Sequence, residues 1–117
     1  MCGITGFVDY KHHISKDIVL KLNRSMAHRG PDGEGYATYD SSTGAAIGLG
    51  DRRLSIIDLT DGGSQPMHFD GLHNTFNGEI YNYAEIKLKL KALGHIFESH
   101  SDTEEILHSY CQWGSAA

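Results

Sequence analysis

The sequence opens MCGITGF, Met1-Cys2-Gly3-Ile4-Thr5-Gly6-Phe7, and the cysteine at position 2 governs how the rest is read. Once an initiator methionine is removed, Cys2 stands first and carries a thiol and a free α-amine on one residue. A thiol with an ordinary pKa of about 8.5 is only slightly ionised at neutral pH and needs a base to become a nucleophile. The α-amine, titrating at about 7.7 to 8.0, is such a base within the same residue. The bland alternative is a small buried side chain at the start of a strand, and Cys2 alone does not choose between the two.

Outward from that stretch, 117 residues suit one small domain or part of a larger one. Ten Lys and Arg against 15 Asp and Glu give a net charge of -5, which argues against the clustered basic face of a nucleic-acid binder. The opening has neither a basic leader nor a long apolar stretch, and no later segment is long enough to span a bilayer. A cytoplasmic protein with Cys2 and Cys111 as thiols is therefore expected. The 14 glycines are spread over turn positions with no linker or repeat, so the chain reads as one continuous unit.

ITGFV (4–8) predicts a strand, and YKHH (10–13) a loop leading to Ser15 as an N-cap. Ile18, Val19, Leu22 and Met26 then fall at helical spacing behind Asp17, and Gly30 and Pro31 end that helix. GYATY (35–39) and AAIGLG (45–50) predict strands around the turn DSSTG, RLSIIDL (53–59) a further strand, and MHFDGLHNTF (67–76) a hairpin turning at Asp70-Gly71. YAEIKLKLKALG (83–94) predicts a second helix ended by Gly94, HIFESH (95–100) a short strand, and SDTEEILHSYCQWG (101–114) a third helix with a Ser101/Glu104 capping box. Antiparallel strands beside separate helices make the class α+β.

Three further stretches can carry chemistry. In FNGEIYNY (76–83), the Asn77 side-chain amide and the Gly78 backbone amide can serve as the two donors of an oxyanion hole, although Asn-Gly is equally a hairpin turn. In DRRLSIID (51–58), Arg52 or Arg53 at the start of an apolar strand can hold a carboxylate in a bidentate fork, or simply be solvated. Asp102 can grip an ammonium group or compensate the helix dipole. The eight histidines form no set with zinc spacing and are expected mostly at the surface, so no metal is expected.

Taken in order, MCGITGF, HRGPDGEG (28–35), RRLSIIDL (52–59), QPM (65–67), FNGEIYNY and SDTEEILHSY (101–110) resemble the class II glutamine amidotransferase domain of glutamine-hydrolysing asparagine synthetases. This is an N-terminal nucleophile hydrolase domain, and the resemblance covers essentially the whole chain. It implies an αββα sandwich of which residues 1–117 hold about the first half, with the ATP-binding synthetase domain absent. It also implies that Cys2 attacks glutamine, that Asn77 and Gly78 form the oxyanion hole, and that Arg53 holds the substrate α-carboxylate. Glu79 and Asp102 would take its α-amino end, and the backbone of Ile56 and Ile57 would line the pocket. Ammonia would pass to aspartate activated by ATP and magnesium in the missing domain; this chain itself would need no cofactor. A homodimer is compatible with the resemblance.

Two residues depart from the family pattern: Asp51 where histidine is common, and Glu105 where an apolar residue is usual. The alternatives are a truncated, non-catalytic fragment or binding module, or the glutaminase domain of an amidotransferase acting on a sugar or a peptide. The isolated chain is expected to be poorly active or inactive.

Overall fold

The computed structural model describes residues 2–11, 16–54 and 64–117. The chain divides into two compact units, residues 1–57 and 58–117. Among the described residues no helix is long and apolar enough to cross a membrane.

The first unit contains β1 (Gly3–Asp9), α1 (Lys16–Ser25), β2 (Gly33–Asp40) and β3 (Ala46–Arg53). The strands form an antiparallel sheet in the order β1-β3-β2, with Gly3 opposite Arg52 and Gly33 opposite Arg53. Ser41 and Gly44 make the β2–β3 turn: the Ser41 hydroxyl accepts the Ala45 N–H at 3.0 Å, and Gly44 takes φ 86°.

One face of the sheet carries α1. Gly48 and Gly50 allow the close approach, because a Cβ at Gly48 would lie 2.3 Å from the Phe7 ring and one at Gly50 2.4 Å from Asn23 Oδ1. Val19 is fully buried there, whereas Ile18 and Leu22, expected on the same buried stripe, stay more than a third exposed. The second anchor is polar. Asn23, also fully buried, donates to the Gly35 carbonyl at 2.8 Å and accepts from Thr5 Oγ1 at 3.0 Å. One amide thereby ties the helix to two strands with its hydrogen bonds satisfied. The Ser15 cap lies outside the described residues.

The second unit contains the hairpin β4 (Met67–Phe69) and β5 (Leu72–Asn74), the helices α2 (Tyr83–Ala92) and α3 (Asp102–Trp113), and a final 3₁₀ turn, Gly114–Ala116. Asp70 at φ 49° and Gly71 at φ 76° form the expected primed turn. Gly94 at φ 98° ends α2, and the His95 N–H returns to the Leu90 carbonyl. Leu90 and Leu107 supply the apolar core of this unit. Leu88 and Leu93 of the same helix are exposed.

One expected strand takes another form, and a second lies mostly outside the described residues. β3 runs on from Ala46 through Arg53, so the arginines end that strand and do not open a new one. Residues 55–59 of the expected RLSIIDL strand lie outside the described residues. HIFESH forms no strand, because the Glu98 and Ser99 N–H groups are both taken by the Glu104 carboxylate at 2.7 Å. The capping box is correspondingly altered. Ser101 Oγ accepts from Thr103, and Glu104 reaches back beyond Ser101 to residues 98 and 99.

Not all histidines lie at the surface. His108 is 1% exposed, stacked on Phe69 at 3.9 Å, with its Nδ1 2.8 Å from His95 Nδ1 and its Nε2 3.5 Å from Glu104. A proton on Nε2, facing the carboxylate, leaves Nδ1 to accept from His95. Burial lowers the His108 pKa against the pull of Glu104, and His95 lowers it further. Burial alone would raise Glu104, but hydrogen bonds from Ser99 and Glu98 and the neighbouring His108 hold it below its ordinary value.

Candidate active site

Cys2 lies at the end of the β1–β3 ladder. The Leu54 N–H donates to its sulfur at 3.3 Å, and the thiol faces the Leu54 carbonyl at 3.8 Å. The antiparallel register, continued one residue beyond Gly3–Arg52, sets Cys2 across from Arg53. Strand alternation then separates the two arginines. Arg52 turns to the α1 side, its Nη1 2.9 Å from Glu34 and its Nε donating to the Gly30 carbonyl at 3.0 Å. Arg53, half-buried, shares the other face with Cys2 and Asp51.

The HRGPDGEG stretch supports this corner through its backbone. Pro31 bridges to Arg53, and the Asp32 N–H donates to the Arg53 carbonyl at 3.0 Å. Gly30 is seated so tightly that a Cβ would fall 2.4 Å from both Arg52 C and Arg53 N. No motif reading assigns this role, since the contact is between backbones distant in sequence.

In the second unit, Asn77, Gly78 and Glu79 are exposed in the segment between β5 and α2. Asn77-Gly78 is not the turn of a hairpin, because no strand follows it before α2. Two side chains brace the segment. Gln65 pairs with Phe76 on both sides of its amide, accepting the Phe76 N–H at 2.6 Å and donating to its carbonyl at 3.1 Å, and also reaches Thr103 Oγ1 at 3.1 Å. Asp102, in the first turn of α3, accepts the Ile80 N–H at 3.1 Å. Asp102 is thus joined to the residue next to Glu79, while Gln65 is a positioning residue that the sequence marked only as part of QPM. Ile56 and Ile57 lie outside the described residues.

Glu105, one turn beyond Asp102, is 2% exposed, and its Oε1 has no hydrogen-bond partner. Burial raises its pKa from 4.5 to about 7, against Lys87 and with the help of Asp102. An acid whose folded pKa lies above its unfolded one binds extra protons when folded, so its contribution to stability falls as pH rises from about 4.5 to 7. Glu105→Val is therefore expected to stabilise the protein more at pH 8 than at pH 4, by about 3 kcal/mol, in paired urea denaturations. An equal effect at both pH values would contradict it.

Compared with known proteins, the glutamine amidotransferase domain family matches residues 1–117, the whole chain. The chain belongs to the glutamine amidotransferase domain family. This amidotransferase domain is 40% identical over 117 residues to asparagine synthetase [glutamine-hydrolyzing] 1 of Bacillus subtilis, covering 94% of the chain and 17% of the relative. It is 38% identical over 130 residues to a putative asparagine synthetase 2 of Methanocaldococcus jannaschii, covering 97% and 24%. It is also 38% identical over 127 residues to the amidase chry2 of Gibberella zeae, covering 97% and 18%. The amidotransferase chain thus spans between 17 and 24% of the length of these relatives.

Proposed function

We propose that this amidotransferase domain is the glutamine-hydrolysing part of an asparagine synthetase, built as part of an αββα N-terminal nucleophile hydrolase. The observation that carries the reading is the position of Cys2 at the end of β1, held by Leu54 and in register with Arg53. Once Met1 is removed, the α-amine takes the Cys2 proton and the sulfur attacks the side-chain carbonyl carbon of glutamine. Asn77 and the Gly78 N–H stabilise the oxyanion. Collapse breaks the C–N bond, the amine returns the proton, and ammonia leaves a thioester. Water then hydrolyses the thioester, releasing glutamate and restoring the thiol. Arg53 holds the α-carboxylate, Asp102 and Glu79 the α-ammonium, with Ile56 and Ile57 along the pocket.

The ammonia goes to aspartate activated by ATP in a synthetase domain beyond these residues. Among the described residues no group of three or more His, Cys, Asp and Glu is placed to hold a metal ion. A second reading, in which the domain belongs to an amidase that makes another product, is supported by the similarity to the amidase chry2.

The two thiols make a direct test. Cys111 is exposed, and its hydrogen bond to Asp70 at 3.3 Å, together with the Asp70 charge, raises its pKa and lowers its reactivity. Mass spectrometry is expected to find Cys2 as the mature N-terminus, and a glutamine-like electrophile to label Cys2 in preference to Cys111. Retained Met1, or preferential labelling of Cys111, would overturn the nucleophile assignment.

A further inference from the structure

Continued two residues past Met67 and Asn74, the β4–β5 register sets Gln65 across from Phe76. At that position pairing passes from main chain to side chain. The Gln65 carboxamide takes both main-chain groups of Phe76, accepting the N–H at 2.6 Å and donating to the carbonyl at 3.1 Å, as a neighbouring strand would. Its Nε2 also donates to Thr103 Oγ1 at 3.1 Å, so the oxygen and both hydrogens of the carboxamide are used. Thr103, 1% exposed in the first turn of α3, is itself fixed on both sides. Its N–H is held by Ser101 Oγ at 3.2 Å and its carbonyl by the Asn74 amide at 3.4 Å.

From Phe76 the chain of contacts reaches Gly78 through one ring. A Cβ at Gly78 would lie 2.9 Å from the Phe76 ring, so that ring lies directly against the Gly78 backbone. On the far side of Gly78, the Ile80 N–H is held at 3.1 Å by Asp102, the neighbour of Thr103. The first turn of α3 thus secures the segment two residues before Gly78 and two residues after it. We propose that Thr103 and Gln65, acting through Phe76, position the oxyanion donors Asn77 and Gly78, and so serve the transition state of glutamine hydrolysis more than the binding of glutamine. Both are positioning residues, and the inference rests on the reading of Asn77 and Gly78 as the oxyanion hole.

The two tethers divide the work. Asn77 directly follows Phe76 and depends on Gln65, whereas Glu79, assigned to the substrate ammonium under the proposed function, directly precedes Ile80 and keeps the Asp102 tether when Gln65 is lost. Donors aimed in advance at a developing oxyanion act mainly in the transition state, because the charge they meet is absent from bound substrate. Loosening Phe76 therefore lowers the catalytic rate while leaving glutamine its ground-state contacts. A carboxamide that only braced the fold would weaken both together.

The test sets kcat for glutamine-dependent ammonia release beside glutamine affinity, the latter measured by calorimetry in Cys2→Ala proteins to prevent turnover. Gln65→Ala is expected to lower kcat about a hundredfold while changing the glutamine Kd by no more than about threefold. Thr103→Val, which removes the hydroxyl and fills the same space, should lower kcat about tenfold, and Thr103→Ser, which returns the hydroxyl, should recover most of that loss. Should Gln65→Ala fail to fold in urea denaturation, the Thr103 pair decides alone. An unchanged kcat, an equal loss of kcat and affinity, or no recovery by Thr103→Ser would overturn the inference and leave the oxyanion-hole reading standing. Absence of glutamine-dependent release by the unsubstituted chain, or full activity of Asn77→Ala, would overturn that reading and the inference with it.

Discussion

Replacing Cys2 with alanine is expected to reduce glutamine-dependent ammonia release by at least about a thousandfold, because the covalent route disappears when its nucleophile does. The substitution removes one sulfur contact with Leu54 at the end of the sheet. Folding stability should therefore change by no more than about 1 kcal/mol. That separation is the informative part, since an activity lost together with the fold would show nothing about chemistry. The comparison is ammonia release beside urea denaturation on the same preparations. Equal release by both proteins would eliminate catalysis through Cys2 by this chain and leave the family membership untouched.

The second large effect is expected at Gly30, where no chemistry occurs. A Cβ there would stand 2.4 Å from Arg52 C and Arg53 N, and backbone atoms within a paired strand cannot swing aside as a flexible side chain can. Gly30→Ala should therefore cost about 3 kcal/mol of stability. Any folded remainder should bind glutamine poorly, because the displaced backbone carries Arg53. Gly33→Ala is the matched control from the same motif: its Cβ would meet Arg53 Cβ at 3.5 Å, ordinary contact, with an expected cost below about 1 kcal/mol. Urea midpoints of the two variants decide the matter, and a Gly30→Ala protein as stable as the control would show that the strand end yields easily.

Much of the element order was legible in the sequence. The runs ITGFV and GYATY marked β1 and β2, the Asp70-Gly71 pair marked the hairpin, and Gly94 marked the end of α2. The failures share a cause: a contact partner far away in the chain. AAIGLG reads as a strand that stops at Gly50, whereas β3 runs on to Arg53, and the missing side chains of Gly48 and Gly50 make room for α1 against it. HIFESH has the composition of a strand but loses two of its N–H groups to Glu104. Asn23 escaped notice because periodicity counts apolar residues, and this buried position is polar.

The same distinction holds at the candidate site. Residue types suited to an amidotransferase were visible as motifs; apart from the family resemblance, which singled out Arg53, the residues alone left Arg52 and Arg53 equivalent until pairing fixed the strand alternation. The supports were not visible, because Gly30 and Gln65 act on main-chain atoms 22 and 11 residues away. Asp51 was legible as an unusual charge. Its burial was not, since that depends on position in the sheet.

The pairing of β1 with β3 also has a consequence in time. Their partners are separated by 37 to 49 residues, from Asp9 with Ala46 to Gly3 with Arg52. Contacts so far apart in sequence form late, after the intervening loop has closed. On the ribosome, β1 emerges before β3 but cannot be seated until Arg52 has been synthesised and released from the exit tunnel. The Cys2 thiol beside β1 is thus among the last groups in the first unit to acquire its surroundings, and a nascent chain carries it without the contacts that Leu54 supplies.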